Sequence, residues 1–569
     1  MEWTRSLFSL LLALSVWAGS GHLPVANLPL PQPDPFSDRY PAEILVDNPG
    51  DYQFVIAHLY DVDRVHPQEA GRKMPTPGEG FIPLRVIAYI DPVEAELLSR
   101  AGLTATPIPN ESRLAASLYG PGLNTAVTWP TYDAYVIRWQ GIAAAYPNIT
   151  RLVQIGSSVQ GRAMWCLKIT DNPDLQEIEP EVKFSGAIHG DETTGTELTT
   201  RLAELLVGGY GSDPRLTGLV NDLETWICPI HNPDGYANSS RYNANGEDLN
   251  RIFPDPITNP LDTTLGQEPE NAAFMQLGYD NRFRLGINYH GGALVVNYPL
   301  DSIPYSPPYY APDNDLLREL SRAYANLNPT ILAGGFEDGV TVGWEWYIVR
   351  GGMQDWAYHW RDELHVTIEV SQTKKPSFTA LDDYWNDNRE AMLVWMEQAL
   401  TGVVGVVSDE KTGLPLDATV TVAETNKTLR TDADAGDYHR PLLPGVHTLT
   451  AAATCHLPQE VQITVPAVGA AVQNFALQPT GVSGVLRDQA TGLPVDGVVR
   501  ILDAIGEAFS AADSGEYDLS VCPGTYTLQV EAVGYEMQEK VVTVGSRLVV
   551  NFDLVSLPLL NIYLPAILN

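Results

Sequence analysis

Two stretches of this chain repeat each other, and the repeat constrains the architecture of its C-terminal third. G-V-V-G-V-V-S-D-E-K-T-G-L-P-L-D at 402–417 returns as G-V-S-G-V-L-R-D-Q-A-T-G-L-P-V-D at 481–496, and Pro444-Gly445 returns at the same offset as Pro523-Gly524. Short apolar runs alternate there between Gly and Pro turns, which is the pattern of β-strands. A long period with only two copies means tandem domains and not a solenoid. Two small all-β sandwiches are therefore expected, over 401–479 and 480–556. Before residue 400 the pattern changes. Tyr135 to Tyr146, Glu197 to Val207 and Asn388 to Leu400 have helical spacing, while Leu167 to Thr170, Val182 to Ile188 and Trp226 to Ile230 are strand-like. Alternation of this kind argues for an α/β domain over 128–400, with a mixed, largely parallel sheet flanked by helices. Functional loops would then gather at strand ends.

Ahead of that domain, 41–115 holds strand-like Tyr52 to Leu59 and Leu84 to Ile90, followed by a helical piece from Pro92 to Ala101. This reads as a small α+β module, joined onward by a Pro-Gly-rich link at Gly120–Thr128. Residues 21–40 are Pro-rich and read as extended. Residues 1–20 have a charged start at Arg5, an apolar core from Leu7 to Val16 and a small-residue end, the layout of a signal peptide. Secretion to the extracellular medium is the expectation. The apolar tail at 557–569 is short and broken by two prolines. Export permits disulfides among Cys166, Cys228, Cys455 and Cys522; their connectivity is not readable, and buried free thiols fit equally. The net charge of −36 argues against a nucleic-acid partner, which is bound through basic patches. It suits solubility and the steering of cationic peptides.

The chemistry concentrates in the α/β region. His189, Gly190, Asp191 and Glu192 spell H-x-x-E at the end of an apolar run, and His290 follows in N-Y-H-G-G. Two imidazoles and one carboxylate form a donor set for catalytic zinc that leaves one position open. Glu369 stands inside the apolar run Leu364 to Val370, where a carboxylate needs a partner or a task. Polar clusters at 232–235 and 248–251 add an arginine. Taken together these residues suit metal-assisted hydrolysis: one Zn2+ ion, a carboxylate to move protons and cations for the oxyanion.

Six segments carry a resemblance: I-H-G-D-E-T-T-G at 188–195, H-N-P-D-G-Y at 231–236, R-Y-N-A-N-G-E-D-L-N-R-I-F-P-D at 241–255, N-Y-H-G-G-A-L-V-V-N-Y-P-L-D at 288–301, W-Y-I-V-R-G-G-M-Q-D-W-A-Y at 346–358 and T-I-E-V-S at 367–371. Over about 128–400 the chain resembles the zinc metallocarboxypeptidases, in particular the regulatory branch related to carboxypeptidases D, E and N. The resemblance implies His189, Glu192 and His290 as zinc ligands. It implies Glu369 as the carboxylate that activates water and then protonates the leaving amine, and Arg241 as the oxyanion's arginine. Asn250 and Arg251 match the pair that grips a terminal carboxylate, for which arginine's two parallel bonds are suited. Tyr347 matches a mobile tyrosine that closes over bound peptide. The β-rich repeats look like the transthyretin-like domain that follows the catalytic domain in that branch, here in two copies.

Asp301 and Gln354 match the pocket of the members that prefer basic residues, so a terminal Lys or Arg is the expected side chain. Asp301 also fits a turn or cap, and Asp355 lies beside Gln354. Asp191 departs from the branch's Asn, and Val342-Gly343-Trp344 departs from Asn-Gly-Ala; both bear on substrate preference. The expected partner is a peptide or protein C-terminus. Two alternatives remain open: an amidase of the same fold acting on cell-wall peptides, and a non-catalytic adhesion protein. Members of the branch typically lack an inhibitory pro-segment, so 41–115 stands open between a pro-region, a folding aid and an unrelated exported module.

Overall fold

The computed structural model describes residues 34–76, 79–119, 128–302 and 310–558. The expected signal peptide, most of the Pro-rich segment, nearly all of the Gly120–Thr128 link and the tail beyond 558 lie outside the described residues.

The N-terminal module is a four-stranded antiparallel sheet in the order β2-β3-β1-β4, from β1 (Tyr40–Val46), β2 (Val62–Pro67), β3 (Leu84–Ile90) and β4 (Ala105–Pro107). One expectation is corrected here. Tyr52 to Leu59 is not a strand; it belongs to the helix Pro49–His58. Its apolar run suits either state, and the start signal decides: Asn48 caps the Asp51 amide and Pro49 fills the first turn. The helix Pro92–Arg100 forms as expected, with Asp91 and Glu94 in a reciprocal capping box.

The α/β region is built on an eight-stranded sheet in the order β11-β10-β12-β9-β7-β8-β6-β5. Its strands are β5 (Thr150–Ser157), β6 (Ala163–Ile169), β7 (Glu181–Gly186), β8 (Glu224–Cys228), β9 (Phe283–His290), β10 (Leu294–Tyr298), β11 (Val340–Val342) and β12 (Leu364–Val370). The centre, β12-β9-β7-β8, is parallel, while β10 on one side and β6 and β5 on the other run antiparallel to their inner neighbours. The parallel strands are buried along their whole length, as a sheet covered on both faces requires. On one face Trp139, Leu202, Leu206, Leu317 and Trp395 from four helices pack over it; on the other, Phe253, Phe274 and Trp356 do.

Beyond residue 400 the chain is all β. Two units follow with matching topology, each a pair of four-stranded sheets. The repeat is visible in the strands: Gly402–Asp409 and Gly481–Asp488 occupy equivalent central positions. The first unit is anchored on the α/β region by buried Arg440, which pairs with Asp313 at 2.7 Å and Asp362 at 2.8 Å. All four cysteines are bridged, Cys166 to Cys228 and Cys455 to Cys522. The first bridge joins neighbouring strands β6 and β8 where Leu167 faces Ile227, and the second links the two β units.

Candidate active site

Three parallel strands deliver the polar centre. β7 ends at Gly186 and the chain turns to present His189 and Glu192, the Glu192 amide closing the turn on the His189 carbonyl at 3.1 Å. His290 is the last residue of β9. Glu369 on β12 is its register partner. These carboxyl ends form the crevice where an open α/β sheet gathers its chemistry.

His189 Nδ1 lies 3.0 Å from Glu192 Oε1, and His290 Nδ1 lies 2.9 Å from Glu192 Oε2. One candidate ligand atom from each residue falls within 4.8 Å of the others. The far ring nitrogens are held from behind. His189 Nε2 is 3.1 Å from Asp248 Oδ1, and His290 Nε2 is 2.8 Å from the Asn288 amide. With Asp248 accepting from Nε2–H, His189 Nδ1 keeps a lone pair for a metal, the usual arrangement behind metal-binding histidines, while the Asn288 amide nitrogen fixes the His290 ring from its far side. Burial, followed by Arg241, opposes a charged His189, but the carboxylates of Glu192 and Asp248 outweigh both and raise its pKa to about 9. A cation at Nδ1 would displace that proton. Burial acts against ionised Glu192 too, yet His189, Lys374 and His290 hold it well below the usual carboxylate range. A buried, anionic carboxylate between two imidazoles fits zinc.

Glu369 is 7% exposed and its Oε2 has no hydrogen-bond partner in the protein. Burial, then the negative charges of Glu192 and Asp63, push its pKa up to about 8. An orphaned oxygen beside a metal-binding set is free to exchange a proton with water or substrate. Glu369 stands on an interior strand, since β12 lies between β10 and β9. Arg241 is 1% exposed and reaches Glu192 Oε1 at 3.4 Å and Asp248 at 2.9 Å. Asn250 holds the Met353 amide at 2.9 Å, and the Arg251 side chain lines the same cleft.

Asp301 lies at the cleft's inner end and is 4% exposed. Asn297 donates to it at 2.8 Å and Gln354 at 3.0 Å. Gln354 also accepts from the Thr367 amide of β12 at 2.8 Å, tying the pocket floor to the strand that carries Glu369. Asp355 does other work: it receives the backbone amides of Asp301 and Ser302 at 2.9 and 2.8 Å and shapes the turn. Gly343 is required here, since a Cβ would stand 1.8 Å from Asp301 Oδ1. Gly351 is required as well, with φ of +67° and the Arg251 carbonyl 2.2 Å from where a Cβ would be. Trp344 lies tilted against Tyr310 with ring centroids 5.7 Å apart, whereas Trp346 and Tyr347 line the cleft.

The N-terminal module enters this site. Arg241 pairs with Asp61 at 2.9 Å and with Asp63 at 3.0 Å. Arg251 donates to the Val62 carbonyl at 2.7 Å, and the Tyr347 hydroxyl to the Asp63 carbonyl at 2.9 Å. Lys374 bridges Asp63 at 2.6 Å and Glu192 at 3.0 Å. Burial disfavours an ionised Asp63, but Lys374 and Arg241 overcome it and lower its pKa to about 2. Asp191 accepts from Ser112 of the module at 2.8 Å. Sequence reading missed Asp61, Asp63, Asp248 and Lys374. Only the last two carried a local signal: Asp248 inside D-L-N-R, and paired lysines just past the Glu369 strand. With β2 in place the cleft retains a cavity of about 30 Å³. A larger cavity, about 260 Å³, lies between Trp129, Tyr132, Arg162 and Lys375 and contains none of the residues named for the reaction.

Residues 136–391 match the family model described as zinc carboxypeptidase. Carboxypeptidase N catalytic chain of Homo sapiens is 34% identical over 390 residues, covering 61% of this chain and 85% of that protein. The chain belongs to the zinc carboxypeptidase family. Carboxypeptidase M of Mus musculus is 34% identical over 352 residues, 58% of this chain and 78% of that relative. Carboxypeptidase D of Mus musculus is 39% identical over 375 residues, 61% of this chain. This zinc carboxypeptidase family member spans only 26% of that longer relative. Among the described residues, no helix is long and apolar enough to cross a membrane.

Proposed function

We propose that this chain is a secreted zinc metallocarboxypeptidase that removes the C-terminal residue of peptides, preferring Lys or Arg. The observation that carries the reading is the convergence of His189, Glu192 and His290 within 4.8 Å, with Glu369 on the adjoining strand in register with His290. His189 and His290 would hold the ion through Nδ1, and Glu192 through its carboxylate. A bound zinc supplies Lewis acidity toward water and the scissile carbonyl. Glu369 takes the proton of the attacking water at Oε2 and returns it to the leaving amine. Arg241 lends positive charge to the oxyanion, an effect worth about 2.7–4 kcal/mol per donor in other enzymes. Asn250 and Arg251 receive the substrate's terminal carboxylate, and Tyr347 covers the bound residue.

The preference for a basic side chain rests on Asp301. It is buried, accepts from Asn297 and Gln354, and gains a direct counter-charge when a cationic side chain enters. The two disulfides support an oxidising, extracellular setting. The matching topology of the two β units supports tandem transthyretin-like sandwiches. The test is zinc content together with release of arginine from a C-terminal Arg peptide, measured on the full chain before and after limited trypsin treatment. One zinc per chain and arginine release are expected. Zinc-loaded protein inert in both states on peptides ending in Arg, Lys and Phe would overturn the reading.

A further inference from the structure

The cavity of about 260 Å³ holds a cation that the proposed reaction does not use. Lys375 lines it and is 8% exposed. Its ammonium donates to the Ser239 hydroxyl at 3.0 Å and, among the described residues, to no other group. Lys374, one position earlier, meets two carboxylates; Lys375 meets none. A lysine is almost never buried without a partner, and an ammonium carries three donors. Burial pushes the Lys375 pKa down to about 8, against the opposing field of Asp191.

The rest of the lining says what would complete it. Arg162 commits its Nη1 to Asp234 at 2.6 Å and Gln160 at 2.7 Å, while Nε and Nη2 make no bond among the described residues. The helix Tyr132–Ala145 begins at the cavity, with Thr131 capping the Ala134 amide at 3.2 Å, and its first turn adds positive potential. The walls are aromatic, and each ring spends its polar atom elsewhere. Trp129 donates to the Pro376 carbonyl at 2.7 Å, Tyr236 to the Pro130 carbonyl at 3.0 Å, and Tyr132 to the Ala163 carbonyl. Those rings therefore offer an occupant apolar surface, and the cations offer it charge. Asp133 is the one carboxylate on the lining and is exposed; its like charge disfavours a dianion. The volume falls below the roughly 300–1,000 Å³ of sites for drug-sized ligands, which leaves room for a molecule of about amino-acid size.

We propose that this cavity is a second ligand site, built for a small organic monocarboxylate with an apolar body. The carboxylate accepts from Lys375 Nζ and from Arg162 beside the helix end, and the body lies among Trp129, Tyr132 and Tyr236. None of these residues belongs to the cleft, so the site stands whether or not the peptidase reading does.

The experiment is calorimetry on the full chain with benzoate, with benzyl alcohol as the uncharged probe of the same body, and with inorganic phosphate. Two variants accompany it. Lys375→Met removes the charge. Ala237→Trp blocks the cavity from an exposed lining position and keeps the test open if the first variant fails to fold. Benzoate should bind one to one. A charge-assisted bond to carboxylate sets the expected loss at about tenfold or more in each variant, and for benzyl alcohol against the unaltered chain. Zinc content should not change. Benzoate bound equally well by the variants, or not bound by the unaltered chain, would overturn the site. Phosphate bound more tightly than benzoate would overturn the class of ligand.

Discussion

Replacing Asp301 by Asn should change which peptides are cut more than how well the site works. Asp301 is 4% exposed, and burial followed by the neighbouring Asp355 raises its pKa well above the usual carboxylate value, so its charge is disfavoured until a cation arrives. Opposite unit charges about 4 Å apart attract by about 4 kcal/mol at an effective dielectric near 20. Ionising the carboxyl on substrate entry takes back part of this, leaving a net of about 2–3 kcal/mol, or about 30- to 160-fold. The amide of Asn keeps the shape and removes only the charge. In Asp301→Asn, kcat/KM for an Arg-ending peptide should fall by that factor, while a matched Phe-ending peptide is nearly unaffected. The assay uses paired reporter peptides on trypsin-nicked protein. An equal fall for both peptides would mean that Asp301 shapes the turn instead of reading charge, and the specificity argument would fail.

Glu369→Gln should cut kcat by about 10²- to 10⁴-fold while zinc stays at one per chain; unchanged turnover would remove Glu369 from proton transfer. Asp34 is buried, which raises its pKa to about 6 against the hydrogen bonds from Ser240 and Phe36. An acid raised in this way adds stability below its ordinary pKa and loses it as pH climbs through about 6. Asp34→Asn should therefore reduce the fall in Tm between pH 4 and 7, by about 3 kcal/mol in stability terms; parallel profiles would refute this. Cys166→Ala with Cys228→Ala opens a loop of 62 residues' separation. The loss should be about 4 kcal/mol by loop-closure entropy, read by denaturation of the oxidised and variant proteins.

The site was legible because its chemistry is local: H-x-x-E sits at the end of one apolar run, His290 stands in N-Y-H-G-G, and Glu369 stands inside another apolar run. The strand Leu364–Val370 could be read from its apolar run, and the tandem β units from their repeat. The partners across the cleft could not. Asp61 and Asp63 meet Arg241 about 180 positions away, and nothing in V-D-R-V-H-P marks a strand that fills a cleft. Tyr52 to Leu59 misled because an apolar run without a clear period suits strand and helix alike, and the Asn48-Pro49 cap carried the decisive information. Cysteine pairing depends on register. Cys166 faces Cys228 only once β6 and β8 align as Leu167 against Ile227.

The most direct test of the central claim is X-ray absorption at the zinc edge, combined with metal stoichiometry, on the full chain and on His189→Ala and His290→Ala. One zinc per chain with only nitrogen and oxygen neighbours at about 2.0–2.2 Å, lost from each variant, is the predicted result. Zinc retained by both variants, or sulfur in its coordination shell, would contradict it.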